Sequence, residues 1–283
     1  MEDPTSAGQD ALVAGADDRD HWEHALENWD AALADEPQNA VAWASKAWTL
    51  ARLGRRAEAF AAYQHALELD RDNASIWNNF GSLLSGMARF DESFTAFEQA
   101  HRLAPNDPYI WSNLGSVNED RGRSAEALAA YDHACRLDAS NAHLRVSRAK
   151  VLGKLKQYPQ ALAAADDAIA LDPSLADAWI QRGHALTELG RYEEALAAYD
   201  HAIGSSPAAA AAPIYVYKGD VLSEHLKRNA EALTAFQQAL AHNPAHRAAL
   251  LGSAQALAAR QRYDEALDVY AQLEALGPLE ARG

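Results

Sequence analysis

Four tryptophans, Trp43, Trp77, Trp111 and Trp179, stand 34, 34 and 68 residues apart in a chain of 283 residues. A period kept over that many copies specifies a stack of similar units, each burying its apolar face on its neighbours, rather than one compact globule. Such stacks build extended binding surfaces far more often than catalytic centres.

Seven copies begin at Ala40, Ala74, Pro108, Ala142, Ala176, Ala212 and Arg247. Their eighth positions are all small: Ala47, Gly81, Gly115, Ala149, Gly183, Gly219 and Ala254. Twelve residues on come Ala59, Ser93, Ala127, Ala161 and Ala195, then an aromatic column at Tyr63, Phe97, Tyr131 and Tyr199, then Ala66, Ala100, Ala134, Ala168 and Ala202. Pro105, Pro173, Pro207 and Pro244 close several copies. Small residues let two helices approach, aromatics fill the space between copies, and proline stops the second helix. The pattern predicts, for each copy, a helix of about 14 residues, a short turn and a second helix of similar length. Gly54, Gly122 and Gly190 fall in those turns, where a helix ends at positive φ. The period slips between Pro207 and Ala212, and once more within LSEHLKRNAEAL, so the last two copies are expected to be rotated slightly.

These columns resemble the tetratricopeptide-repeat motif of Trp, Leu-Gly, Tyr, Ala, Phe or Tyr, Ala and Pro; the clearest copies run over 75–105 and 177–207. The resemblance covers about residues 20–278. It implies an all-α, right-handed superhelical α-solenoid of helix–turn–helix repeats at 40–73, 74–107, 108–141, 142–175, 176–211, 212–246 and 247–280, in one elongated unit. Residues 21–39 read as the second helix of an N-terminal half repeat that caps the array, with Ala25, Trp29, Ala32 and Pro37 in register. Residues 1–20, acidic and rich in Gly and Ala, are expected to be flexible or frayed.

Hydrophobic residues make up 49% of the chain, ample for a core spread between neighbouring helices, and 25 Lys and Arg against 40 Asp and Glu leave a net charge of −15. That balance disfavours nucleic acid and anionic membrane and favours a protein or peptide partner. No run of 18 apolar residues can cross a bilayer, and MEDPTSAGQDALVAGADD has acids where a signal peptide needs bases, so the expected location is cytoplasmic. Cys135 replaces leucine on a second helix and is expected to be a small buried hydrophobe.

In the family the first helix of each repeat lines the concave groove. The resemblance therefore directs attention to Trp48, Asn78, Asn79, Ser82, Tyr109, Asn113, Ser116, Lys150, Lys154, Gln181, His184, Glu188 and Asp220 as peptide- or protein-binding residues. Asn79 and Asn113 share the sixth position of adjacent repeats, similar to the asparagine ladder by which a member of the family holds a peptide backbone. A primary amide donates and accepts together, so it suits an extended chain whatever its side chains. Ser45 and Ser147 interrupt that ladder. The family's clamp for a carboxyl-terminal tail is not expected, because Ala44, Trp48, Asn78 and Ser82 occupy its flanking positions. The 142–175 copy departs most: Arg145 replaces tryptophan, Ala165 replaces the aromatic, and Arg145, Arg148, Lys150, Lys154 and Lys156 make a basic patch suited to an acidic stretch of partner.

No Gly-rich phosphate loop, GxSxG elbow or zinc-type cluster stands in the sequence, and neither a cofactor nor an enzyme activity is expected. His65, His133 and His201 share a column read as solvated surface. Leu267, Tyr270, Leu273 and Leu276 are expected to be left partly exposed at the last repeat. The function expected is a non-catalytic scaffold or adaptor. The alternatives are a self-assembling structural protein that forms homo-oligomers through that last repeat, and a recognition subunit of a separate enzyme.

Overall fold

The computed structural model describes residues 16–277, and among them every regular element is helical. The chain divides into two compact units, Met1–Ala139 and Ser140–Gly283, where the period alone suggested one elongated body. In the first unit α1 (Ala16–Asp35) precedes three helix pairs: α2 (Ala40–Arg52) with α3 (Arg56–Leu69), α4 (Ala74–Gly86) with α5 (Phe90–Leu103), and α6 (Pro108–Asp120) with α7 (Ser124–Leu137). The second holds four pairs: α8 (Ala142–Lys154) with α9 (Tyr158–Leu171), α10 (Ala176–Glu188) with α11 (Tyr192–Ser205), α12 (Ala212–Asp220) with α13 (Asn229–His242), and α14 (Arg247–Ala259) with α15 (Tyr263–Ala275). Helix α1 starts within the segment expected to be flexible; the rest of that expectation, residues 1–15, lies outside the described residues. No described helix is long and apolar enough to cross a membrane.

Local chemistry explains the helix starts. Side-chain oxygens of Asn39, Asn73, Asp107 and Asn141 each accept a backbone N–H of the first turn that follows, of α2, α4, α6 and α8 respectively. Leu175 offers α10 no such cap, and α12 follows a short 3₁₀ turn, Ala208–Ala210, instead. At the turn inside each pair one residue takes the left-handed conformation. Gly54, Gly122 and Gly190 do so at φ 76°, 71° and 74°, as expected, but Ala88, Lys156, Lys227 and Gln261 do so at φ 57–60° with a Cβ present.

Within a pair the small column and the aromatic column meet. A Cβ built on Gly81 would lie 2.7 Å from the Phe97 ring, on Gly115 2.7 Å from Tyr131, and on Gly183 2.4 Å from Tyr199. The column continues into the irregular sixth repeat, where Gly219 faces Phe236, which is 1% exposed and meets Gly252 of α14 on its other side. The extra residue there is absorbed by a π turn, Val221–His225, closing α12 with Leu226 N–H donating to Val221 and Arg228 N–H to Leu222. In the fourth repeat the ring is absent, and Ala149, Ala161, Ala164, Ala165 and Ala168 are all buried: alanine at both columns replaces glycine plus ring.

The tryptophans act as staples. Indole Nε1 of Trp43, Trp77, Trp111 and Trp179 donates to the carbonyl six residues earlier, on Pro37, Arg71, Pro105 and Pro173, at 2.8–2.9 Å. Each indole thereby ties the first helix to the loop that enters its repeat. The histidine column is not merely solvated. His133 stacks on Trp111 at 4.4 Å, His201 on Trp179 at 4.3 Å, and His65 meets Trp43 edge-on at 4.6 Å. Cys135 is half-buried rather than buried.

Candidate functional site

In the first unit the expected residues lie on α2, α4 and α6. Trp48 is half-buried because α1 uses it: the Trp22 ring meets it edge-on at 5.0 Å, and the Arg52 guanidinium lies 5.4 Å and 5.9 Å from the two rings. It therefore packs against α1 while keeping part of its surface open. Tyr109 is 47% exposed.

The amide column is wired differently from the expected ladder. Asn113 Nδ2 donates to Asn78 Oδ1 at 2.8 Å, joining α6 to α4 along a diagonal, not along the Asn79–Asn113 column. This bond uses one acceptor site of Asn78 and one donor of Asn113. Asn79, half-buried beside them, makes no side-chain hydrogen bond among the described residues. Ser82, exposed, donates to its own helix at Asn78 O over 3.2 Å, and Ser116 is half-buried with its hydroxyl unbonded among the described residues. A neutral patch results in which Asn79 and Ser116 keep donor and acceptor capacity for an incoming polar chain.

In the second unit the chemistry changes. Lys150 and Lys154 are exposed on α8 but, with Arg148, already have interaction partners, so they do not form an idle basic patch. Gln181, half-buried on α10, has an open amide among the described residues. His184 sits edge-on to Tyr217 at 4.7 Å and to Tyr199 at 5.9 Å; burial lowers its pKa against the opposing pull of Glu188, so it is neutral near pH 7. Glu188, exposed, accepts a hydrogen bond from the Tyr158 hydroxyl. Asp220 is half-buried, and burial first, then the neighbouring charge of Glu224, pushes its pKa up to about 6.

Two features escaped the sequence. The Asn78–Asn113 bond joins residues one repeat plus one position apart, a diagonal that reading by columns hides. The ring frame of His184, Tyr199 and Tyr217 follows from the slipped sixth repeat, which brings a tyrosine to the position held by asparagine in α4 and α6. Among the described residues no group of three His, Cys, Asp or Glu could hold a metal ion.

Comparison with known proteins agrees with the helix-pair geometry. A family model described as tetratricopeptide repeat matches residues 78–142, 146–210 and 226–281, and a second of the same description matches 40–73. No curated protein matches the chain. Among solved structures, the APC/C hetero-tetramer Cut9–Hcn1 is similar with a TM-score of 0.69 at 19% identity, over 84% of this chain and 46% of that one, so the chain spans less than half of that relative's length. A tetratricopeptide repeat protein from Parabacteroides merdae gives 0.69 at 15% identity, over 86% and 95%. YrrB, described as a TPR protein with an unusual peptide-binding site, gives 0.53 at 24% identity, over 67% and 96%. The identities are low, and the likeness is one of fold. With period, packing columns and matched models in agreement, the chain belongs to the tetratricopeptide-repeat family.

Proposed function

We propose that the protein is a non-catalytic scaffold or adaptor that binds an extended peptide or a protein surface on its first helices, in the cytoplasm. Proteins of this family generally mediate protein–protein interactions, and YrrB's description as a protein with an unusual peptide-binding site is a precedent within the fold. The observation that carries the reading is Asn79, whose amide is held half-buried beside the Asn78–Asn113 pair and is left open there. A preset, unsatisfied amide binds a passing backbone at little ordering cost. The net charge of −15 disfavours nucleic acid as the partner.

The test is affinity purification with mass spectrometry, followed by titration of the recovered partner against Asn79→Ala and the Asn79→Ala, Asn113→Ala pair. Loss of one or two net hydrogen bonds should weaken binding roughly three- to thirtyfold with helicity unchanged. Unchanged affinity in the pair would remove the assignment.

A further inference from the structure

The chain carries its own record of what covers the outer face of a second helix. Leu196 on α11 and Leu233 on α13 are 6% and 4% exposed, whereas Leu267, in the same column on α15, is 65% exposed. One column over, the Tyr158 hydroxyl is bonded to Glu188 of the next pair and the Tyr192 ring stacks at 4.5 Å on His225 of the next pair. Tyr263, their counterpart, is 61% exposed. The acidic column between them is keyed by arginine: Arg121 of the following repeat reaches Asp91 at 2.9 Å, and Arg228 reaches Glu193 at 3.0 Å. Asp264 occupies that column on α15 with no ion pair among the described residues. Arginine also covers the ring that stands in the leucine column of α5, with Arg121 Cζ 4.1 Å from the Phe94 centroid.

We propose that the open face of α15 is a docking surface for an amphipathic helix of a partner protein with an arginine or lysine at its C-terminal end. It would seat as α6 sits on α5, and as α12 with its π turn sits on α11. The apolar side of that helix covers Tyr263 and Leu267, and its terminal cation reaches Asp264. Charge selects this occupant over a second copy. Two copies meeting through this face would set Asp264 and Asp268 against themselves, and α1 presents Asp20, Glu23 and Glu27. The surface is separate from the first-helix residues above and stands or falls independently of them.

The experiment uses the full chain and a fluorescein-labelled peptide of residues 211–228, cross-linked to stay helical, which carries the His225 and Arg228 that cover α11. Anisotropy titration should give saturable binding, weakened at least tenfold by Leu267→Asp and by Asp264→Lys and untouched by Asn79→Ala. Both substituted side chains are exposed, so circular dichroism melts should match wild type and exclude misfolding. A peptide carrying Arg228→Glu should bind weakly to wild type and regain affinity on Asp264→Lys. Absence of saturable binding, or binding indifferent to both face variants, overturns the proposal. So does a concentration-dependent dimer in sedimentation velocity that Leu267→Asp abolishes, because a second copy would then hold the face.

Discussion

In residues 16–139 the first helices are capped by Asn39, Asn73 and Asp107 and stapled by Trp43, Trp77 and Trp111; in residues 140–277 Leu175 caps nothing, and Arg145 and Tyr215 stand where tryptophan would. The second unit nevertheless keeps its helix pairs, because its departures come in compensating sets. Glycine facing a ring becomes alanine with alanine at Ala149 and Ala165, and an inserted residue becomes a π turn that leaves Phe236 between Gly219 and Gly252. The candidate binding residues carry no such constraint. They drift from neutral amides in the first unit to His184, Tyr217, Glu188 and Asp220 in the second. In the fourth and sixth repeats the packing columns change together, whereas surface columns change singly.

The largest effect expected from this rule is at Phe236, whose ring serves two glycines. Phe236→Ala should destabilise the second unit by about 3–5 kcal/mol in urea melts, since the ring leaves a void that neighbouring helices fill only in part. A loss below about 1 kcal/mol would mean that the helices close over it. Next is the compensation itself. Gly183→Ala alone should cost about 1–3 kcal/mol through its clash with Tyr199, with Ala47 beside Tyr63 in the first repeat showing that a pair can open to accept a methyl. In a Tyr199→Ala background the same change should be neutral or favourable, giving a coupling of at least about 1 kcal/mol. Additive costs would break the comparison.

Smaller effects distinguish the turns. The first unit has one non-glycine residue at positive φ, Ala88, and the second has three, Lys156, Lys227 and Gln261. Replacing each by glycine should add about 0.5–1 kcal/mol, relieving Cβ strain at some cost in unfolded-chain freedom, while Gly54→Ala should lose a similar amount. Melting temperatures of the four single variants test this, and a fall in all four would refute it.

A pH effect is confined to the second unit. Asp220, raised from 3.8 to about 6, holds its proton more tightly folded than unfolded. Its contribution is therefore fully present below its unfolded pKa of 3.8 and is lost as pH rises through about 6. Between those values wild type should lose stability relative to Asp220→Asn, and parallel profiles would show that the carboxyl is not desolvated.

Much of the fold was legible because repeat packing is itself a period. Trp43 to Trp179, the Gly and Ala columns and the turn glycines each report a contact that recurs at fixed spacing. Ala88, Lys156, Lys227 and Gln261 were missed because their left-handed backbone is imposed by the surrounding turn, not by their own preference. The candidate site was less legible. Trp48 lies in the right column, but Trp22 of α1 takes it for packing, and no column shows a neighbour from outside the regular array. Asn78 and Asn113 pair across a diagonal, and no column shows that Lys150 and Lys154 already have partners.

The central claim of the proposed function is that its partner binds the first helices while the second helices of the interior repeats pack. A photo-crosslinking amino acid placed at Ser82 on α4, or at Glu98 on α5, tests it directly, because both side chains are exposed and lie in the same repeat. Crosslinking of the recovered partner from position 82 and not from position 98 is the predicted result. Equal yields, or a yield from position 98 alone, would contradict it.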